Sequence, residues 1–87
     1  MYVTVINNVE QPSVDTKEGT ELLPIVIGPF ETMAEAVGST VDYIRGFYDE
    51  EPYFCFKGFG ESYENIKVIV KTPETEEHVE ATVNRCD

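Results

Sequence analysis

Residues 43 to 63 read YIRGFYDEEPYFCFKGFGESY and hold eight of the ten aromatic residues in this 87-residue chain. A chain of this length gains most of its folding free energy from a few large apolar side chains. The core and any binding surface are therefore both expected to draw on this segment. Within it, the acidic run Asp49 to Glu51 is followed by Pro52, which cannot continue a helix.

A helix is predicted immediately before the acidic run. Thr32 and Glu35 have the spacing of a capping box, in which a threonine hydroxyl caps the first turn. Apolar residues then recur at helical spacing at Met33, Val37, Val41, Ile44 and Tyr48. Gly38 interrupts the helix interior and is expected to allow close approach to a strand. The pattern is typical of a helix that packs across a sheet.

Short runs of β-branched and aromatic residues predict four strands, at residues 2–6, 22–27, 53–57 and 66–71. Pro24 lacks a backbone N–H group, so the second strand is expected at an edge of the sheet or to begin at this residue. The polar residues 10–21 are expected to form a loop or a wide hairpin connection.

The C-terminal segment, residues 74–86, fits two structures. Thr72 followed by Pro73 resembles a helix start, and Val79, Val83 and Cys86 align at helical spacing, so a helix is favoured. Val79 and Val83 also alternate with polar residues, as they would in a strand that returns after a turn.

Together these elements predict an α+β fold within a single globular domain, residues 1–87. The sheet is antiparallel or mixed, with four strands, or five if the C-terminal segment is a strand. One long helix packs on one face, which gives a two-layer sandwich.

The chain carries 17 acidic residues against six lysines and arginines, a net charge of −11. This charge argues against direct binding to nucleic acid and to anionic membranes, both of which attract basic surfaces. The expected partner is a basic protein surface. No signal peptide or membrane-spanning run is recognised, and Cys55 and Cys86 are expected to be reduced thiols, so a cytoplasmic location is predicted.

No catalytic, metal or cofactor-binding residues are predicted, and the chain is not expected to be an enzyme. His78 is the sole histidine, and a zinc site needs three or four ligands. The run Asp49 to Glu51 lacks the spacing of a calcium loop. Gly58 and Gly60 precede a predicted strand, whereas a phosphate-binding loop opens a helix.

The phenylalanines Phe47, Phe54 and Phe56 are assigned to the core, whereas tyrosines rimmed by carboxylates are typical of protein interfaces. The predicted protein-binding residues are Glu35, Asp42, Tyr48, Asp49, Glu50, Glu51, Tyr53, Glu61, Tyr63 and Glu64.

In size, acidity and absence of motifs, the chain resembles the small phage-encoded inhibitors of CRISPR or restriction systems. This resemblance is one of character and rests on no motif. It implies a nucleic-acid mimic that docks on a nuclease or another nucleic-acid-binding protein in the host cytoplasm. The alternative is a small homo-oligomeric structural or accessory domain, for instance a homodimer, whose acidity serves solubility.

Overall fold

A computed structural model describes residues 1–12 and 20–86. Five strands and one helix follow one another along the chain: β1 Tyr2–Pro12, β2 Thr20–Phe30, α1 Met33–Arg45, β3 Tyr53–Phe59, β4 Asn65–Thr72 and β5 Thr75–Arg85. The strands form one sheet in the order β2-β1-β5-β4-β3, and all neighbouring strands are antiparallel. The predicted α+β class with one helix on a sheet is confirmed, and the sheet has five strands.

The C-terminal segment is a strand, so the favoured helix was wrong. β5 lies in the centre of the sheet, where it pairs with both β1 and β4. Its buried residues Ala81 and Val83 lie opposite Val68 and Ile66 of β4, so their alternation is that of a half-buried strand. Residues 75–85 form a strand and not a helix because they pair with β1 on one side and β4 on the other, and no local sequence pattern reveals this pairing.

The first hairpin is longer than the sequence predicted. β1 and β2 pair as far as Pro12 opposite Thr20, so residues at both ends of the expected loop 10–21 belong to strands. The rest of that predicted loop, residues 13–19, lies outside the described residues. β2 occupies one edge of the sheet, as expected from Pro24.

The helix begins where the capping signal placed it. The Glu35 backbone N–H donates to the Thr32 hydroxyl oxygen at 3.1 Å. Ala36, Thr40 and Ile44 form the buried stripe of α1. The helix lies over β1, β2 and β5, and in the described part of the chain its backbone stays clear of β3 and β4.

The core is the layer between α1 and the sheet. It contains the fully buried side chains Ile6, Ala36, Ile44, Val68, Val70, Ala81 and Val83. Burying one such aliphatic side chain stabilises the fold by roughly 1.5–3 kcal/mol. The described helices include none that is long and apolar enough to span a membrane.

Two phenylalanines assigned to the core are largely outside it. Phe56 is 45% exposed on β3, because α1 does not extend over that strand. Phe47 is 44% exposed because the helix ends at Arg45, before this residue. Phe54 does pack against the core.

One further expectation was wrong. A Cβ atom added at Gly38 would meet no atom within 4 Å, so this glycine does not serve a close approach. Cys55 and Cys86 are both exposed free cysteines.

Candidate protein-interaction site

An acidic groove lies between the segment that follows α1 and the turn that joins β4 to β5. Its cavity of about 420 Å³ is lined by Phe47, Tyr48, Asp49, Glu50, Glu51, Thr72, Pro73, Glu74 and Thr75. The structure brings together here four of the predicted protein-binding residues, Tyr48 and Asp49 to Glu51. The opposite side is formed by the β4–β5 turn, which the favoured helix would have removed.

The first wall of the groove forms because α1 tightens and then ends. The N–H groups of Gly46, Phe47 and Tyr48 donate to carbonyl oxygens three residues earlier, at 3.2, 2.9 and 3.3 Å. Such bonds close the last helical turn and satisfy carbonyls that would otherwise lack partners. Beyond them the chain carries its acidic run to the buried Pro52, where it turns into β3.

Arg45 holds one end of the acidic run. Its guanidinium lies 2.5 Å from Glu51 Oε1 and 3.3 Å from Asp42 Oδ1. All three side chains are at least half exposed, so these pairs contribute little to stability. They do offset part of the charge of Asp42 and Glu51.

Three carboxylates of the acidic groove, those of Asp49, Glu50 and Glu74, form no ion pair with the residues that the structure describes. All three residues are exposed at the groove. They are therefore the groove charges most available to a partner.

The second wall is a turn braced by hydroxyl groups. Thr72 Oγ1 accepts hydrogen bonds from the N–H groups of Glu74 at 3.3 Å and Thr75 at 3.0 Å. The two threonine hydroxyls lie 2.7 Å apart. The hydroxyl that suggested a helix cap from sequence closes a hairpin turn instead, because both structures offer it unpaired backbone N–H groups.

Three polar side chains link the segment after α1 to β5. The Tyr48 hydroxyl interacts electrostatically with the carboxylate of Glu80, which lies 2.6 Å from His78 Nε2. Burial and the negative charge of Glu80 raise the pKa of the Tyr48 hydroxyl above its ordinary value. Tyr48, predicted as a protein-binding residue, is partly buried and packs against the core, so it positions the groove.

The contacts of His78 raise the pKa of its imidazole ring above the ordinary value. The Glu76 carbonyl oxygen, 2.9 Å from Nδ1, is the main cause, and Glu80 adds to it, while partial burial opposes the shift. Because His78 is the sole histidine, NMR titration of its ring protons should report a pKa above 6.5 without ambiguity. We expect Glu80→Gln to lower this pKa.

The control for this titration is Glu77→Gln, which removes one charge from the neighbouring residue. An equal decrease in both variants would contradict a specific contact with Glu80. Because the pKa is higher in the folded state, protonated His78 stabilises the fold. That contribution is fully present below pH 6.5, the ordinary pKa of histidine, and is lost as the pH rises through the folded pKa.

The remaining predicted residues lie apart from the groove. Glu35 and Asp42 are exposed on the outer face of α1, whereas Asp49 lies beyond the end of the helix. Tyr53 is 75% exposed at the start of β3.

Glu61, Tyr63 and Glu64 belong to the β3–β4 turn, with Tyr63 75% exposed. The N–H of Ser62 donates to Glu64 Oε2 at 2.9 Å, and backbone N–H groups lower the pKa of this carboxyl. The turn also borders a separate cavity of about 330 Å³ beside Arg85.

Sequence reasoning missed the contribution of the β4–β5 turn to the groove, and also Phe47 and the supporting residues Glu80 and His78. In the described part of the chain, no group of three or more His, Cys, Asp or Glu side chains is arranged to hold a metal ion.

Comparison of the chain with family models, curated proteins and solved structures returned no match.

Proposed function

We propose that this chain is a non-enzymatic interaction protein whose acidic groove docks on a basic surface of a partner protein. The observation that carries the proposal is the groove itself. Asp49, Glu50 and Glu74 converge there from two separate elements, beside the exposed ring of Phe47. Carboxylates around an accessible aromatic ring suit lysine and arginine side chains, which pair with the former and stack on the latter.

The distribution of charge supports the same proposal. The strands β3 and β4 contain three lysines and no acidic residue, whereas the groove contains four carboxylates. Four carboxylates in one groove concentrate negative charge there, which speeds association with a basic partner. In its sharper form, the proposal is a nucleic-acid mimic whose carboxylates occupy phosphate positions on a nuclease or another nucleic-acid-binding protein. We place this action in the cytoplasm, where exposed thiols stay reduced.

The test is a competition experiment. A basic nucleic-acid-binding protein that co-purifies with the chain is mixed with the chain and an oligonucleotide, which compete for it. The chain should displace a labelled oligonucleotide from that protein, and its affinity should fall as salt is raised. Asp49→Lys combined with Glu50→Lys should weaken binding about tenfold or more. The control Glu31→Lys with Glu77→Lys makes the same change in net charge outside the groove.

Two results would refute the mimic. The first is an affinity that is equal at low and high salt. The second is a partner that holds the chain and the oligonucleotide at the same time. Equal weakening by the two charge variants would indicate that net charge, and not the acidic groove, drives association.

A homo-oligomeric structural module is the second candidate function. The sheet face opposite α1 bears exposed apolar side chains, among them Tyr53 and Val26. A tight dimer at micromolar concentration in sedimentation experiments would favour this function, since the mimic needs no self-association.

A further inference from the structure

The strand β3 leaves one edge of the sheet open. It lies at the end of the strand order and, among the described residues, pairs with β4 alone. Its pairing from Tyr53 to Phe59 is regular, and it contains no proline or bulge that would block a further strand. Alternate backbone N–H and C=O groups along this edge therefore face outward and are available to another strand.

Both faces of β3 are accessible as well. Tyr53 projects from the sheet face opposite α1. Phe56 is exposed on the other face, where it stacks near Phe54 with the ring planes 3° apart and the centroids 6.4 Å apart. A strand added at this edge would cover apolar surface on the Phe54 and Phe56 side, in addition to pairing with the backbone.

The charge beside this edge is positive. Lys57 lies directly opposite Lys67, an arrangement of like charges that is normally unfavourable across a ladder. The ammonium of Lys67 lies 5.5 Å from the centroid of the Phe59 ring, and no ion pair to a described carboxylate is formed by Lys57, Lys67 or Lys71. In a chain with 17 acidic residues, the strands β3 and β4 contain none, and Glu61 and Glu64 lie in the turn between them.

We propose that the free edge of β3 binds an extended segment of a partner protein in which acidic and apolar residues alternate. The segment adds a sixth strand to the sheet. Because side chains alternate between faces, its carboxylates lie beside Lys57, with Lys67 and Lys71 on the next strand, and its apolar residues cover Phe54 and Phe56. Charge complementarity selects this occupant.

The other occupants fit less well. A second copy of the chain would bring another β3 edge, and because its strands β3 and β4 carry three lysines and no acidic residue, the two edges would repel. Nucleic acid offers no backbone ladder for the edge, and it would carry phosphates past the acidic remainder of the molecule. This docking edge is separate from the acidic groove, and it does not depend on the function proposed above.

The experiment measures binding of a fluorescein-labelled peptide of alternating glutamate and valine, about as long as β3, to the isolated chain. The peptide should bind and protect the outward N–H groups of β3 from hydrogen exchange. Lys57→Glu should weaken binding about tenfold or more, whereas Lys57→Arg should retain it. A peptide of the same composition with its glutamates and valines in separate blocks should bind more weakly, because it cannot match both faces.

Four outcomes would overturn the proposal. They are absence of peptide binding, equal binding of the alternating and block peptides, an affinity unchanged by Lys57→Glu, and tighter binding of an oligothymidylate at the same edge. Sedimentation of the chain alone provides a further test, since a dimer that the peptide cannot dissociate would assign the edge to a second copy. No basic partner is present in these measurements, so their failure leaves the acidic groove untouched.

Discussion

Ile44→Ala should destabilise the protein by roughly 2–5 kcal/mol. The Ile44 side chain is fully buried where the last turn of α1 meets the sheet, within the cluster that contains Val68 and Val70. Its truncation removes apolar surface from the core and leaves a cavity that neighbouring side chains fill only in part. A domain of this size has a total unfolding free energy of about 4–13 kcal/mol, so the loss is a large fraction of it.

Urea denaturation followed by far-ultraviolet circular dichroism measures this loss. The midpoint should fall while the slope stays constant, because the folded and unfolded states keep their compactness. Val26→Ala is the matched control, since Val26 is a branched aliphatic residue that is 63% exposed. We expect it to cost roughly 0.5 kcal/mol or less. Equal losses at the two positions would contradict the position of the core.

The elements that the sequence predicted correctly are those with a local signal. The threonine cap and the apolar residues at helical spacing specify the start and the body of α1, whereas the predicted stripe ran on to Tyr48 and the helix ends at Arg45. The alternation in β4 and the aromatic run in β3 specify those strands. Pro24 correctly indicated an edge because a missing N–H group constrains any neighbouring strand.

The C-terminal segment was assigned wrongly because its apolar residues satisfy both periods. Val79 and Val83 are four apart, which fits a helix, yet Ala81 between them completes a strand. β5 is central, and its stability comes from hydrogen bonds to β1 and β4, which are distant in sequence. A single sequence does not contain that pairing in any local pattern.

Only one side of the acidic groove is visible in the sequence, because the other side also depends on pairing between strands that are distant in sequence. The run Asp49 to Glu51 is evident from composition, and its location between helix and strand follows from Pro52. Its meeting with Thr72 to Thr75 depends on the hairpin that only the strand assignment of β5 creates. Phe47 was assigned to the core because a longer helix was expected, and the early end of α1 exposes it.

Thr40→Val should destabilise the protein by about 1–3 kcal/mol, whereas Thr4→Val should have a small effect. The two hydroxyl oxygens are buried 2.9 Å apart between α1 and β1, and the Thr40 hydroxyl donates to the Ala36 carbonyl oxygen at 2.7 Å. The Thr40 hydroxyl is positioned to donate to either oxygen, so it keeps the Ala36 carbonyl as its partner when Thr4 is replaced, whereas Thr4 depends on Thr40. Loss of the Thr40 hydroxyl therefore leaves a buried hydroxyl without a partner.

The double variant Thr4→Val with Thr40→Val provides the decisive measurement. It removes both hydroxyls while preserving side-chain shape, so it should be more stable than Thr40→Val alone and close to the starting protein. Thermal and urea unfolding of the four proteins complete a double-mutant cycle. If the two single effects simply add, the hydroxyls are not coupled, and α1 is not seated on β1 through this contact. A clear recovery in the double variant would fix the register of the helix on the sheet, and with it the position at which α1 delivers the acidic run to the groove.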